Sequence, residues 1–340
     1  MLWFEFGEGM YIQGVLTMKI KNYWLVTSLM ILSVSSPAKA AGARFCDGYA
    51  QIGVAQHISN LAHSCNLNGL RWSANFIGQK AWCRTVRRVI AQAETSARRA
   101  ALTACGVPAN IRKPWSATNY QQKDAIIEAA VRRTRDDDVR SLRIFKREGV
   151  DLTREWGGNY GTVLFHAIDN QASKSVRYLI KIDDPNRTSN AGPNPLANMV
   201  SDPVVNYRLL RFLLRHGSNP NSFGELGGNA SIPLAIAVKK RDLRAVKELI
   251  HIGHANPNFH DDAEETPLIT ALKNHDKKIA MLLIRAGANV NRGIVGLCAD
   301  VRNARDDKMP LDYALEMGNR RVINEIKRRD GKTVAQCARP

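Results

Sequence analysis

Six cysteines are the side chains of this sequence with the clearest chemical potential: Cys46, Cys65, Cys83, Cys105, Cys298 and Cys337. Thiols ligate metals, cycle between redox states or close structural bridges. Zinc-type sites favour cysteine pairs about two to four residues apart. The spacings between the first four cysteines here are 19, 18 and 22, and no Cys-x-x-Cys pair occurs. That leaves structural bridges, which need an oxidising compartment. His251, His254, His260, Asp261 and Asp262 form a second cluster of metal-ligating residue types. Asp136-Asp137-Asp138 reads as a turn leading into a helix start, where carboxylates favour the dipole. The chain has no glycine-rich phosphate loop, nucleophile elbow or His-Glu-x-x-His motif. The sequence nominates no catalytic residue, no cofactor and no metal ligand, and predicts a non-enzyme.

The elements that must position these residues begin with an address. Met18-Lys19-Ile20-Lys21 is a basic n-region, Tyr23 to Val34 a short apolar run, and Ala38-Lys39-Ala40 a small-x-small cleavage site. This is a secretory signal pattern, predicting residues 1–40 as signal peptide and a mature protein from Ala41. Residues 1–17 hold Glu5 and Glu8 and no Lys or Arg, so Met18 is the expected natural start. The expected location is the periplasm or the exterior.

Residues 41–121 read as a helical hairpin. Tyr49, Ile52, Val54, Ile58 and Leu61 form one apolar stripe, Asn66 to Gly69 a turn, and Phe76 to Ala93 a second stripe inside one long helix from Ser73 to Ala104. In an antiparallel hairpin, bridged residues are symmetric about the turn. Cys65 with Cys83 centres on 74, and Cys46 with Cys105 on 75.5, so nested bridges Cys46–Cys105 and Cys65–Cys83 are the expected pairing. An earlier turn, near Gly69, would instead fit Cys46–Cys83 with Cys65–Cys105; sequence alone allows three connectivities. Cys298 and Cys337 remain as a third pair. The hairpin is basic, with Arg84-Arg87-Arg88 and Arg98-Arg99 able to form a positive ridge on a chain of formal net charge +18. Such a ridge would favour an anionic surface: lipid head groups, cell-wall polymer or an acidic partner. Nucleic acid is not expected for an exported chain.

Residues 122–332 repeat. Glu265-Thr266-Pro267-Leu268-Ile269-Thr270-Ala271-Leu272 opens one helix, and Ile279 to Ala286 forms a second that Gly287 ends, before Ala288-Asn289-Val290-Asn291. Thr266 is an N-cap, Pro267 sits where its missing N–H costs nothing, and Gly287 is a left-handed C′ residue. The opening returns at Thr162-Val163-Leu164, Asn194-Pro195-Leu196, Ile232-Pro233-Leu234 and Met309-Pro310-Leu311, with a weaker copy at Asp124-Ala125-Ile126. The equivalent positions 125, 163, 195, 233, 267 and 310 are spaced by 38, 32, 38, 34 and 43. The second-helix endings at Gly149, Gly217, Gly253 and Gly287 repeat in the same register. This array resembles the ankyrin-repeat family, whose period is about 33 residues. The expected fold is all-α, a helical hairpin followed by an ankyrin-repeat solenoid of about six helix-pair units, with a C-terminal tail at 333–340. Cys298 lies in the longest insertion, Val295 to Lys308, and Cys337 in the tail, so their bridge would tie the tail across the last unit.

The register bears on the candidate residues. His251 occupies the position of Arg215 and Arg285 in sister units, an exposed helix end, which argues against a metal site. Asn186, Asn219, Asn221, Asn256, Asn258, Asn289 and Asn291 fall in the loops after second helices and read as turn residues bonding nearby backbone. The resemblance implies protein–protein interaction through loop tips and first helices. The expected contact loops are Asp184–Pro193, Asn221–Ser231, Asn256–Glu265 and Arg292–Lys308. The expected role is an envelope protein that inhibits an enzyme or toxin, as immunity proteins do, or scaffolds an assembly.

Overall fold

A computed structural model describes residues 40–107, 119–156, 161–187, 195–222, 232–259, 265–294, 296–298 and 308–338. The signal pattern lies outside these residues. Short helices dominate because the sequence breaks itself often. Thr266 accepts from the N–H of Ile269 at 3.3 Å and Thr162 from that of Phe165 at 3.3 Å. Pro233, Pro267 and Pro310 occupy first-turn positions. Second helices are capped by Asp138, Asn206, Asp242, Asp276 and Asn319.

The result is six helix pairs: α4 (Tyr120–Arg135) with α5 (Val139–Arg147), α6 (Val163–Asp169) with α7 (Ser173–Leu179), α8 (Pro195–Ser201) with α9 (Tyr207–Arg215), α10 (Pro233–Lys239) with α11 (Leu243–His251), α12 (Pro267–Lys273) with α13 (Lys277–Arg285), and α14 (Pro310–Met317) with α15 (Arg320–Arg328). First helices stack on first helices from α4 to α14. Second helices pack α5 on α7 and α9 through α11 and α13 to α15. One apolar core runs from Ala50 to Ile326. No pair buries its own apolar face, so each depends on its neighbours.

Three helices precede the array: α1 (Ala43–Ala62), α2 (Phe76–Thr85) and α3 (Arg88–Ala104). The expected single second helix is broken. Val86 and Arg87 are extended, at φ −116°, ψ 163° and φ −69°, ψ 149°. The β-branched pair Thr85-Val86 is stiff and a poor helix continuer, and the Val86 carbonyl accepts the Ala41 N–H at 3.2 Å. The break corrects the bridges too. Cys46 pairs with Cys83 and Cys65 with Cys105, not in the nested arrangement. Symmetry about one turn fails because there are two. The start of α1 meets the end of α2, and the end of α1 meets the end of α3. Cys298 is bonded to Cys337, which ends the short α16 (Val334–Cys337).

The inner face of this cap is continuous with the array. Val54 and Ile58 of α1 join Ile126, Ile127 and Phe145 of the first pair in the core. Asp138 and Ser141 of α5 accept the Phe76 N–H at 3.2 and 3.1 Å, and Ser141 Oγ reaches the Ala74 carbonyl at 2.6 Å. One pair's N-cap thereby also caps α2.

The loop asparagines form a ladder. Asn186 Oδ1 accepts the Asn219 N–H at 2.6 Å while its Nδ2 donates to the Gly217 carbonyl at 2.8 Å. Asn221 bonds Asn256 N–H and His254 O in the same way, Asn258 bonds Asn289 N–H and Gly287 O, and Asn291 bonds Lys332 N–H and Asp330 O. Each rung ties one loop to the next repeat. Two backbone groups lose their partner if a rung is removed, so Asn221→Ala should cost about 1–2 kcal/mol. A lowered urea midpoint, with hydrogen exchange quickening at Asn256, is the expected measurement.

Gly149, Gly217 and Gly287 are left-handed at φ +85°, +91° and +96°. At the fourth pair the left-handed residue is instead His254 at φ 53°, one position later. A Cβ on Gly253 would sit 2.8 Å from Leu214 Cδ2, so this glycine is needed for close packing.

Candidate interaction surface

The first helices α6 to α12 are largely buried, and one register position is partly open in α6, α8, α10 and α14. Its occupants are His166, Asn198, Ile236 and Tyr313, with the buried Thr270 at the equivalent position of α12. Thr270 is the most enclosed and donates to Glu265 Oε1 at 2.7 Å. His166 lies 5.6 Å from the Trp156 ring and Tyr313 lies below Lys273 and Lys308. Frame positions on either side, such as Leu164, Leu196, Leu234, Leu268 and Leu311, are uniform and buried. The leucine position is thus constant, whereas this row varies from repeat to repeat, as does the position before it, held by Phe165, Ala197, Ala235, Ile269 and Asp312.

The expected loops are described only at their ends. Asp184 to Arg187, Asn221 to Ser222, Asn256 to Phe259 and Arg292 to Ile294 are in place, as are residues 296–298, and the remaining interior segments lie outside the described residues. So do His260, Asp261 and Asp262. His251 is exposed at the end of α11 and His254 takes the left-handed turn. Asp138 caps α5, and Asp137 accepts the N–H groups of Lys174 and Ser175 at 3.0 and 2.7 Å, capping α7 from the preceding pair.

The basic ridge of the hairpin is thinner than its sequence. Arg98 is 1 % exposed, the largest fully buried side chain. Its Nη1 donates to Gln79 Oε1 at 2.8 Å and the Arg71 carbonyl at 3.2 Å, and its guanidinium lies 4.9 Å from the Tyr49 ring centre. Burial lowers the Arg98 pKa and raises that of Tyr49. Gly53 makes the room, since a Cβ there would meet Gln79 Oε1 at 1.8 Å. Lys80 pairs with Asp47 at 2.5 Å and Arg71 with Glu94 at 3.2 Å. Beside this group opens a recess of about 650 Å³ lined by Tyr49, Leu70, Arg71, Trp82 and Glu94. Leu70 is fully exposed and Trp82 partly so. Apolar side chains left in water around a recess mark contact surfaces.

What no single helix of the sequence discloses is the charge of the second-helix layer. Helices α5, α7, α9 and α13 contain no Asp or Glu, and Arg143, Lys174, Arg177, Arg208, Arg215, Lys277, Lys278 and Arg285 are all exposed on them. The acid of α11, Glu248, is buried and held by both arms of Arg211, which lowers its pKa. That of α15, Glu325, is clamped by Arg328 and Arg329, its pKa pushed down to about 2.

Residues 234–334 match the family profile described as ankyrin repeats, in three copies. That segment is built of ankyrin repeats. The match falls on the last three helix pairs, and the same two-layer stack continues through the three pairs before them. Among solved structures, the chain is similar to an ankyrin repeat domain from Acinetobacter baumannii, at 22% identity and TM-score 0.48, over 60% of this chain and 98% of that one. It is also similar to a chain of a complex between a predatory endopeptidase from Bdellovibrio bacteriovorus and an immunity protein, at 17% identity and TM-score 0.45, over 59% and 97% of the two chains. Comparison with curated proteins finds no match. Ankyrin repeats imply protein–protein interaction. Among the described residues no helix is long and apolar enough to cross a membrane.

Proposed function

We propose that this ankyrin array is exported and binds another protein, acting by occupancy as an inhibitor or assembly scaffold does. The observation that carries the reading is the row His166, Asn198, Ile236 and Tyr313: partly open positions at one register of stacked first helices whose leucines are buried. Export is supported by the Met18–Ala40 pattern and by three disulfides that need an oxidising compartment. Mass spectrometry of the exported chain should find an N-terminus near Ala41 and no free thiol; an intact residue 1–40 segment would remove the export half.

The binding half is tested by affinity capture from envelope extract with the mature chain, paired with an Ile236→Lys/Tyr313→Ala variant. The expected result is one protein retained by the parent and weakened about tenfold or more by the variant, at unchanged far-ultraviolet circular dichroism. Capture that is indifferent to the variant would move the contact off the first helices.

A further inference from the structure

The N-terminal half of α2 separates two recesses. One is the Trp82 recess described above. The other, of about 660 Å³, lies between α2, α5 and α7 and is lined by Ile77, Arg140, Arg143, Lys174, Arg177 and Lys181, with Tyr178 at its wall. All five cations are exposed. Two carboxylates also line it, Asp137 and Asp138, whose oxygens are engaged by backbone N–H groups of α7, α5 and α2. Of the five cations, Arg140 has an acidic partner, Asp47 at 3.4 Å. Arg143 lies over the Tyr178 ring at 5.6 Å and Arg177 over Phe212 at 4.1 Å. These stacks hold the guanidinium planes in place without neutralising them. The recess is therefore a concave site whose five cations outnumber its two carboxylates, Asp137 and Asp138.

We propose that this groove takes an acidic segment of the partner protein. The inference rests on the reading of the chain as a protein binder and names the chemistry of that partner. Charge complementarity argues for it. Arg140 and Arg143 are one helical turn apart, as are Lys174 and Arg177, so cations recur about every 5–6 Å along each helix, with Lys181 just past the end of α7. Alternate carboxylates of an extended acidic peptide fall about 6.6 Å apart, within reach of these long side chains. Arginine forks match carboxylates in two-bond geometry. Ile77, more than half exposed at the rim, offers an apolar neighbour to such a segment. A lipid surface is flat and would meet the outer cations of every second helix alike, whereas this site is a recess confined to α2, α5 and α7.

The test uses the full mature chain and a fluorescein-labelled dodecapeptide of alternating Glu and Asp with one central Leu. Arg143→Glu/Arg177→Glu should weaken binding about tenfold or more in 50 mM salt, Arg143→Lys/Arg177→Lys less, and the distant pair Lys277→Glu/Lys278→Glu by less than about twofold. Equal weakening by the two charge reversals would overturn the groove, because net charge alone would explain it. Phosphatidylglycerol vesicles or a same-charge oligonucleotide bound in preference to the peptide, with the same dependence on Arg143 and Arg177, would overturn the assignment to an acidic protein segment. The proposal is separable from the reading it rests on. A partner whose capture needs Ile236 and Tyr313 but survives Arg143→Glu/Arg177→Glu sinks the groove and leaves protein binding standing. Capture lost with both sets supports both.

Discussion

Alanine at both Cys46 and Cys83 should destabilise the N-terminal end of the molecule by about 4 kcal/mol. The bridge closes a loop with sequence separation 37, and the chain-entropy relation for a loop of that size gives roughly that figure. Both sulfurs are fully buried in the small cluster of Tyr49 and Ala91, so alanine avoids burying a hydroxyl that serine would leave unpaired. The consequence reaches past the bridge. Helix α1 covers Ile126, Ile127 and Phe145 of the first pair, and a repeat whose neighbour unfolds exposes that face to water. Hydrogen exchange should therefore quicken first in α1 to α3, next in α4 and α5, and little in α10 to α15. Uniform loss across all six pairs would show that the array unfolds as one unit. Connectivity is read on the parent chain. Trypsin cuts at Arg44, Arg71, Lys80 and Arg84 but leaves Cys46 and Cys65 on one peptide, so a protease cutting before Asp47 is added, and the unreduced double digest should yield the Cys46 peptide linked to the Cys83 peptide. A Cys46–Cys105 link would contradict the three-helix cap.

What the sequence discloses, it discloses through local chemistry. Thr266, Pro267 and Gly287 act within one helix turn, and their roles are readable in isolation. The asparagine loops are readable as turns, although the ladder they build is not, because its rungs join residues in successive repeats. The broken helix is hidden because the apolar stripe from Phe76 to Ala93 runs straight across Thr85-Val86. The pairing of the Val86 carbonyl with the Ala41 N–H, which favours the extended form, joins residues 45 positions apart and has no local signal. Arg98 is hidden because an arginine beside Arg99 reads as surface. The signal is Gly53, a missing side chain in the stripe of α1 that has no turn to explain it. The cationic layer is hidden for a different reason. Each second helix alone is an ordinary solvated face, and only stacking adds α5 to α7. The centres of the expected contact loops lie outside the described residues, so the interaction surface now rests on helix positions and recesses.

Acidification from pH 7 to pH 4 should cost about 2 kcal/mol through one residue, His57. It sits on α1 against α4, and its pKa is pushed down to about 4 by burial and by Arg133 and Arg132. Its Nδ1 has no hydrogen-bond partner. The sign follows from proton counting. An unfolded histidine titrates near 6.5, so between about pH 6.5 and 4 the unfolded chain binds a proton that the folded chain refuses, and stability falls as pH falls through that window. The full shift would correspond to about 3 kcal/mol, and the ring's partial contact with water lowers the expectation to about 2 kcal/mol. The carboxylates with lowered pKa, Glu248 and Glu325, act in a different window. Their support is present above about pH 4.5 and is lost only as pH drops below it. His57→Gln should therefore flatten the stability profile between pH 6.5 and 4.5 while leaving the steeper acid limb in place. Urea unfolding followed at each pH, with exchange rates read at α1 and α4, is the measurement. If the variant keeps the parent's slope above pH 4.5, the histidine is solvated and the α1–α4 seam is looser than its packing implies. The seam matters because it is where the cap is welded to the array, and both recesses flanking α2 are built on that cap.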